Sequence, residues 1–308
     1  MHARFHVARA FASVTLLSVA GCAEVLDIPD DPKLVFQQRD PWRCLGNVPE
    51  PPAPETEMAT VLVQACNFIS TNCATPVTGL TARLCDKLDV SCTNPINDNI
   101  TDSGGRLSFD VVTGGVLGVG FDGYLQITPP TELCTNEAVF GEAGPLLCSL
   151  VGCDTQNPDD RCRVPTFAPS LLFFNPNIRA DIVDPIPLPL VPTSALQPVL
   201  AAVGQTFDPT TGVLFISSRD CDGKPARGVS LAINQHQDVV SELYVVDGNI
   251  SGTATQTDSS GLGGFIGVPA GFVEVVGYVG DETGLRIGAT GVRVAAFNIT
   301  YSTLVPSP

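Results

Sequence analysis

Toward the C-terminal end of the chain apolar and polar residues alternate with a period of two. Val229, Leu231 and Ile233 alternate with Ser230, Ala232 and Asn234, and Phe297, Ile299 and Tyr301 alternate with Asn298 and Thr300. This is the period of a β-strand with one face buried, because successive side chains of a strand point to opposite sides. Seven strands are predicted here, near 212–218, 228–234, 241–247, 251–257, 263–268, 271–279 and 290–303. Seven short strands in about 95 residues is the size of an immunoglobulin-like sandwich.

The pattern occurs twice. "NITDSGGRLSF" (Asn99 to Phe109) and "TQTDSSGLGGF" (Thr255 to Phe265) share Thr-Asp-Ser-x-Gly before an apolar strand. Upstream, "ATPVTGLTARL" (Ala74 to Leu84) matches "GKPARGVSLAI" (Gly223 to Ile233); downstream, "VGFDGYLQIT" (Val119 to Thr128) matches "PAGFVEVVGY" (Pro269 to Tyr278). Three pairs in one order mark an internal repeat. Asp102 and Asp258 are expected to open turns by accepting from backbone N–H groups ahead of them, with Gly105 and Gly261 supplying the positive φ.

Asp222-Gly223-Lys224-Pro225-Ala226-Arg227-Gly228-Val229, then Thr257-Asp258-Ser259-Ser260-Gly261, then Gly271-Phe272-Val273-Glu274-Val275 resemble the carboxypeptidase regulatory-like, or transthyretin-like, β-sandwich family. The resemblance covers 210–305, and 59–128 less fully: the first copy lacks the Asp-Gly-Lys-Pro turn and carries a cysteine-bearing loop in place of the middle strands. It implies an accessory sandwich module and supplies no catalytic residue. The fold expected is all-β, two such immunoglobulin-like sandwiches in tandem, disulfide-stabilised, with a short connecting helix. The sandwiches are placed at 59–192, with a Cys-rich insertion, and at 210–308; 193–209 is read as helix and linker. Thr193 or Ser194 would cap that helix, Pro198 would lie near its first turn, and Gly204 would end it. Leu171 to Phe174 reads as a further strand of the first sandwich.

The N-terminus reads differently. Residues 1–21 carry Arg4, Arg9 and no acid, with an apolar stretch from Ala10 to Ala20 too short to span a bilayer, as in a secretory signal. Val19-Ala20-Gly21-Cys22 resembles the lipobox of bacterial lipoproteins, which implies that Cys22 is acylated after cleavage and that the chain meets a membrane through those acyl chains. Ala23 rather than an aspartate follows, which implies the outer membrane, on its periplasmic or cell-surface side. Two copies behind a lipobox resemble uncharacterised surface lipoproteins of Gram-negative bacteria. Residues 22–58, with "DIPDDP" and "NVPEPPAPETEM", read as an acidic, Pro-rich tether. Gly46 to Met58 would extend roughly 40 Å as polyproline II at ~3.1 Å per residue. Trp42 and Cys44 argue that part of the segment docks on the body.

Charge narrows the partners. The signal removes two of 16 basic residues and no acid, so the mature chain has 14 basic and 32 acidic side chains, a net charge of −18. That disfavours nucleic acid and favours solubility or basic partners. Gly and Pro, 29 and 26 residues, fit short strands joined by many turns.

Eleven cysteines cannot all pair within one chain, and an acylated Cys22 leaves ten in an oxidising compartment. Cys66 and Cys73, and Cys85 and Cys92, are spaced to close strand-loop-strand staples. Cys134, Cys148, Cys153 and Cys162 would form two more bridges, and the leftover Cys44 and Cys221 would pin the tether to the second sandwich; sequence leaves the connectivity open. Zinc is disfavoured, since no Cys-x-x-Cys pair exists and His236 is the one histidine outside the signal. Asp154, Asn157, Asp159 and Asp160 in "CDTQNPDDRC" are oxygen ligands of the kind calcium takes, or an ordinary disulfide-tied loop. No Gly-x-Ser-x-Gly elbow, His-Glu-x-x-His helix or phosphate loop frames His236. The expectation is a protein without enzymatic activity or cofactor, structural or adhesive toward an envelope protein or polysaccharide. The alternatives are an envelope hydrolase using clustered carboxylates and a periplasmic ligand carrier.

Overall fold

A computed structural model describes residues 40–54, 57–68, 73–114, 120–141, 144–150, 162–201, 203–206, 208–235 and 239–307. The first repeat comprises β1 (Met58–Asn67), β2 (Thr81–Asp86), β3 (Asn97–Ile100), β4 (Arg106–Val112) and β5 (Gly123–Thr128). An excursion follows through β6 (Thr131–Leu133), α1 (Glu137–Phe140), α2 (Gly144–Leu150) and β7 (Arg163–Pro165), before β8 (Ser170–Phe173) and β9 (Ile182–Leu190). Helix α3 (Thr193–Ala201) leads to the second repeat. This holds β10 (Thr211–Ser218), β11 (Val229–Ile233), β12 (Ser241–Val246), β13 (Asn249–Ser251), β14 (Leu262–Pro269), β15 (Gly271–Val279), β16 (Leu285–Val294) and β17 (Ile299–Leu304).

The chain forms two immunoglobulin-like sandwiches in tandem, and they are fused. A nine-stranded sheet runs β13-β12-β14-β10-β17-β8-β5-β2-β3, so strands of both repeats belong to one sheet. The joint is a parallel pairing of β17 with β8, in which Ile299, Thr300 and Tyr301 face Ser170, Leu171 and Leu172. A three-stranded sheet β4-β1-β9 completes the first sandwich and another, β11-β15-β16, completes the second.

The two outer sheets pack on opposite faces of the common sheet. Leu125 and Ile127 of β5, Leu172 of β8, Phe215 of β10, Leu243 of β12 and Ile266 of β14 share a core with Val61 and Val63 of β1 and Phe109 of β4. Their neighbours in sequence, Tyr124, Leu171, Phe173, Leu214, Ile216, Tyr244 and Phe265, point the other way into a core with Leu231 of β11, Val275 of β15 and Val292 of β16. A strand covered on both faces reads as a continuous apolar run, as "SLLF" and "VLFI" do. Each such side chain contributes roughly 1.5–3 kcal/mol when fully buried. The excursion forms a small third core of Cys134, Phe140, Leu147, Cys148 and Val164.

The two copies share the main bonds of their turns. In the first copy Asp102 Oδ1 accepts from Gly104 N and Arg106 N, each at 2.8 Å, and Gly105 N donates to Asp102 O at 3.0 Å. In the second, Asp258 Oδ1 accepts from Ser260 N at 2.7 Å and Gly261 N donates to Asp258 O at 3.1 Å. The Thr101 and Thr257 hydroxyls accept from Leu80 N and Val229 N, each at 3.0 Å. Gly105 and Gly261 have φ of 71° and 68°. A Cβ on either would lie 2.6 Å from a carbonyl oxygen, of Ala65 or of Ser218.

Several expectations are corrected. The stretch 290–303 is two strands, broken at Ala295–Asn298, where Asn298 N donates to Ala295 O and Phe297 adopts φ 59°. The strand expected over 251–257 is only the short β13, since Ser251 Oγ accepts from Thr253 N and Ala254 N and turns the chain away. Pro198 lies inside α3 rather than in its first turn, and the helix is no mere linker: Leu196 and Leu200 belong to the first core. Pro41–Pro308 form one compact unit. Arg179 donates to Pro52 O and Thr113 N to Glu57 O, so the described residues on either side of 55–56 touch the body.

Gly105→Ala and Gly261→Ala are each expected to lower the unfolding free energy by about 2–4 kcal/mol, because positive φ and a backbone clash combine. Urea unfolding of the two variants measures this, and a loss below about 0.5 kcal/mol, the level of a neutral surface change, would contradict it.

Candidate functional site

The place where the N-terminal segment meets the second sandwich is built from a turn. Asp220 Oδ1 accepts from Asp222 N at 2.8 Å and Lys224 N at 2.9 Å, while Gly223, at φ 74°, donates to Asp220 O. This is the Asp-Gly-Lys-Pro turn that the first repeat lacks. It presents Cys221 and Asp222 to the incoming chain. Cys44 is disulfide-bonded to Cys221, with Cα atoms 5.8 Å apart, and Cys221 N donates to Pro41 O at 3.0 Å. Arg43 forms a bidentate ion pair with Asp222. Trp42 and Leu45 pack against the second core. The disulfide closes a loop of 177 residues, which in the chain-entropy model stabilises by about 5 kcal/mol, the top of the usual range.

The remaining described cysteines are bonded as Cys66–Cys73, Cys85–Cys92 and Cys134–Cys148, and Cys162 is also in a disulfide. Cys22, Cys153, Asp154, Asn157, Asp159, Asp160 and His236 lie outside the described residues. Among the described residues no group of three or more His, Cys, Asp or Glu side chains is placed to hold a metal ion, and no helix is long and apolar enough to cross a membrane.

The perturbed acids are engaged in turns. Backbone N–H donation from Asn94, outweighing burial and joined by Thr93, holds the Asp89 carboxyl below its usual range. Asp208 and Asp281 are held low by the hydroxyl and N–H of Thr210 and of Thr283. At Asp258 burial pushes upward, but Ser260, the Asp247 N–H and Arg227 together pull the carboxyl down. Glu242 is the exception. Partial burial raises it against the hydrogen bond from Tyr244 Oη, and nearby Glu282 adds to the rise. Burial raises the phenol of Tyr244 as well, although its oxygen accepts from Leu231 N at 3.0 Å.

A groove of about 500 Å³ runs beside β9 over the common sheet. Pro185, Pro187 and Pro189 form one wall, and Phe68, Phe215 and Tyr301 are among its lining residues. Phe215 and Tyr301 are stacked, with ring centroids 5.7 Å apart and planes at 12°. The Tyr301 hydroxyl is buried and has no hydrogen-bond partner among the described residues. The sequence marked Asp222 only as part of the Asp-Gly-Lys-Pro turn, and did not point to Arg43, to the ion pair between them or to this groove. The usable signal was "DPIPLPL", whose three prolines, 185, 187 and 189, recur with the strand period.

No protein-family model matches the chain, and no curated protein matches it in sequence. Among solved structures it is similar to the Bacillus anthracis TIE protein, at 10% identity and TM-score 0.22 over 81% of this chain and 34% of that one. It spans about a third of that protein's length. It is similar to the shaft pilin SpaA from Lactobacillus rhamnosus GG, at 12% identity and TM-score 0.25 over 82% and 98% of the two chains. A third similar structure is GBS52, the minor pilin of Streptococcus agalactiae, at 14% identity and TM-score 0.19 over 82% and 98%.

The turn aspartates predict acid sensitivity. A carboxyl held low in the folded state contributes stability that is present above its unfolded value and lost as pH falls through the folded one. Stability to urea is therefore expected to fall as pH drops below the ordinary aspartate value of 3.8, with Asp208→Asn and Asp281→Asn each flattening the fall. Glu242, raised from 4.5, acts in the opposite sense, removing stability as pH rises above that value. A profile that stays flat below 3.8, or that both Asn variants leave unaltered, would contradict the assignment.

Proposed function

We propose that this chain is a non-enzymatic, lipid-anchored protein of the cell envelope, held in the outer membrane by acyl chains on Cys22 and serving as a structural or adhesive module toward a protein or polysaccharide partner. The observation that carries the reading is the covalent clamp at Cys44–Cys221. A chain pulled from an anchor at Cys22 meets the body at Pro41 to Leu45, where the disulfide and the Arg43–Asp222 pair hand the tension to the loop after β10. That strand lies within the common sheet, paired with β14 and β17. Tension is thus spread over a sheet instead of peeling β1 from the first sandwich. The state of the acids supports the same reading. Asp89, Asp208, Asp258 and Asp281 are kept ionised by donors of their own or neighbouring turns, which suits them to fixing loops rather than to proton transfer at neutral pH.

Protein purified from the membrane fraction is expected to yield an N-terminal peptide that begins at acylated Cys22. The same material should bind purified envelope polysaccharide, or a purified envelope protein, saturably and without releasing soluble fragments. Release of fragments that a single carboxylate substitution such as Glu242→Gln abolishes would overturn the non-enzymatic reading. An unmodified Cys22 would overturn the anchor.

A further inference from the structure

The two sandwiches share one topology, so their edges can be compared position by position. The pairings of β1 with β4 and β9 recur as those of β10 with β14 and β17, in the same antiparallel and parallel senses. The pairings of β5 with β2 and β8 recur as those of β15 with β11 and β16. Ala65 N donates to Gly105 O as Ser218 N donates to Gly261 O, which aligns Ala65 with Ser218. Ala65 pairs with Leu188 and Ser218 with Leu304, so Leu188 corresponds to Leu304. Pro185 then corresponds to Tyr301, which lies within the pairing with β8, and Pro187 and Pro189 correspond to Thr303 and Val305, just beyond it.

β17 is the strand by which the second sandwich joins the first. Its even-numbered carbonyls turn toward β10, Asn298 O accepting from Val213 N and Leu304 O from Arg219 N. Its odd-numbered N–H groups turn toward β8, Ile299 N donating to Pro169 O at 2.9 Å. β9 keeps this alternation: Leu190 O accepts from Phe68 N on the β1 side, so odd positions face away from β1. Positions 185, 187 and 189 are therefore those that would face a further joined strand, and all three are proline, which has no N–H to donate. β9 is the last strand of its sheet, and a groove of about 500 Å³ lies beside it. Among the described residues it is the missing donors, not a covering element, that close this edge.

We propose that β9 is a joining edge closed by proline: the edge through which the second sandwich meets the first is, on the first sandwich, unable to receive a second copy of this chain. A strand laid against it would find no donor for its carbonyls at three successive outward positions, and an unpaired buried carbonyl opposes docking.

The test restores the donors. The full chain, carrying Cys22→Ser so that no acyl group drives association, is compared with the same chain bearing Pro185→Thr, Pro187→Thr and Pro189→Val. Sedimentation velocity over the micromolar range should show the parent as a monomer and the triple variant associating with rising concentration. Amide exchange at 183–189 should slow in the associated species. Replacing the central threonine by lysine, in Pro185→Thr, Pro187→Lys and Pro189→Val, keeps the new N–H groups but charges the edge, and should return the chain to monomer. Should the triple variant not fold, Pro187→Thr alone is read the same way, with weaker association. A folded variant that stays monomeric at every concentration, or a parent that already associates with protection at β9, would overturn the proposal.

Discussion

The parallel pairing of β8 with β17 is the interaction on which the rest of the structure depends. It covers only three residue pairs, yet it turns two half-sheets into one and fixes what each face must carry. Once the half-sheets are continuous, an outer sheet can pack above one half and another below the other. Helix α3 and the N-terminal segment with Trp42 and Leu45 then add apolar cover to the first and second cores. Burying Leu171 and Phe173 on one side and Leu172 on the other makes β8 part of both cores at once. A change there is felt by both sandwiches, because packed cores transmit small displacements.

A sheet of this length has to end safely. Its terminal strands, β13 and β3, are short and polar, reading Asn-Ile-Ser and Asn-Asp-Asn-Ile. The outer sheet of the first sandwich ends on a proline-bearing strand. Short polar strands and proline are among the ways in which sheet proteins avoid edge-to-edge association. The same economy governs the N-terminal segment. Cys44, Arg43 and Pro41 tie it to one turn of the second repeat.

Much of this was legible in the sequence, for reasons that particular residues make plain. The Asp102 and Asp258 turns were readable because a carboxylate accepting from N–H groups two to four residues ahead, followed by a left-handed glycine, is a local device. Strands such as β11, with Val229, Leu231 and Ile233 entering one core, announced themselves by period. The fusion was not readable. Whether Leu171 and Leu172 share one core or divide between two depends on a partner strand about 130 residues away, and a four-residue apolar run is silent on that. The break at Phe297 was hidden because the apolar alternation continues through a turn. Pro198 was misplaced because the packing of Leu196 and Leu200 overrides the usual cost of a proline within a helix. The role of Arg43 lay beyond reach, since its partner Asp222 is 179 residues away and no local pattern joins them.

The central claim is that the common sheet makes the two sandwiches a single cooperative unit. Trp42, the chain's one tryptophan, packs against the second core and so reports on that half, whereas far-ultraviolet circular dichroism reports strands of both. Urea unfolding of the oxidised protein followed by both signals is the most direct test. Coincident transitions with one midpoint and one slope are the predicted result. Two separated transitions, with tryptophan fluorescence tracking only one of them, would contradict it.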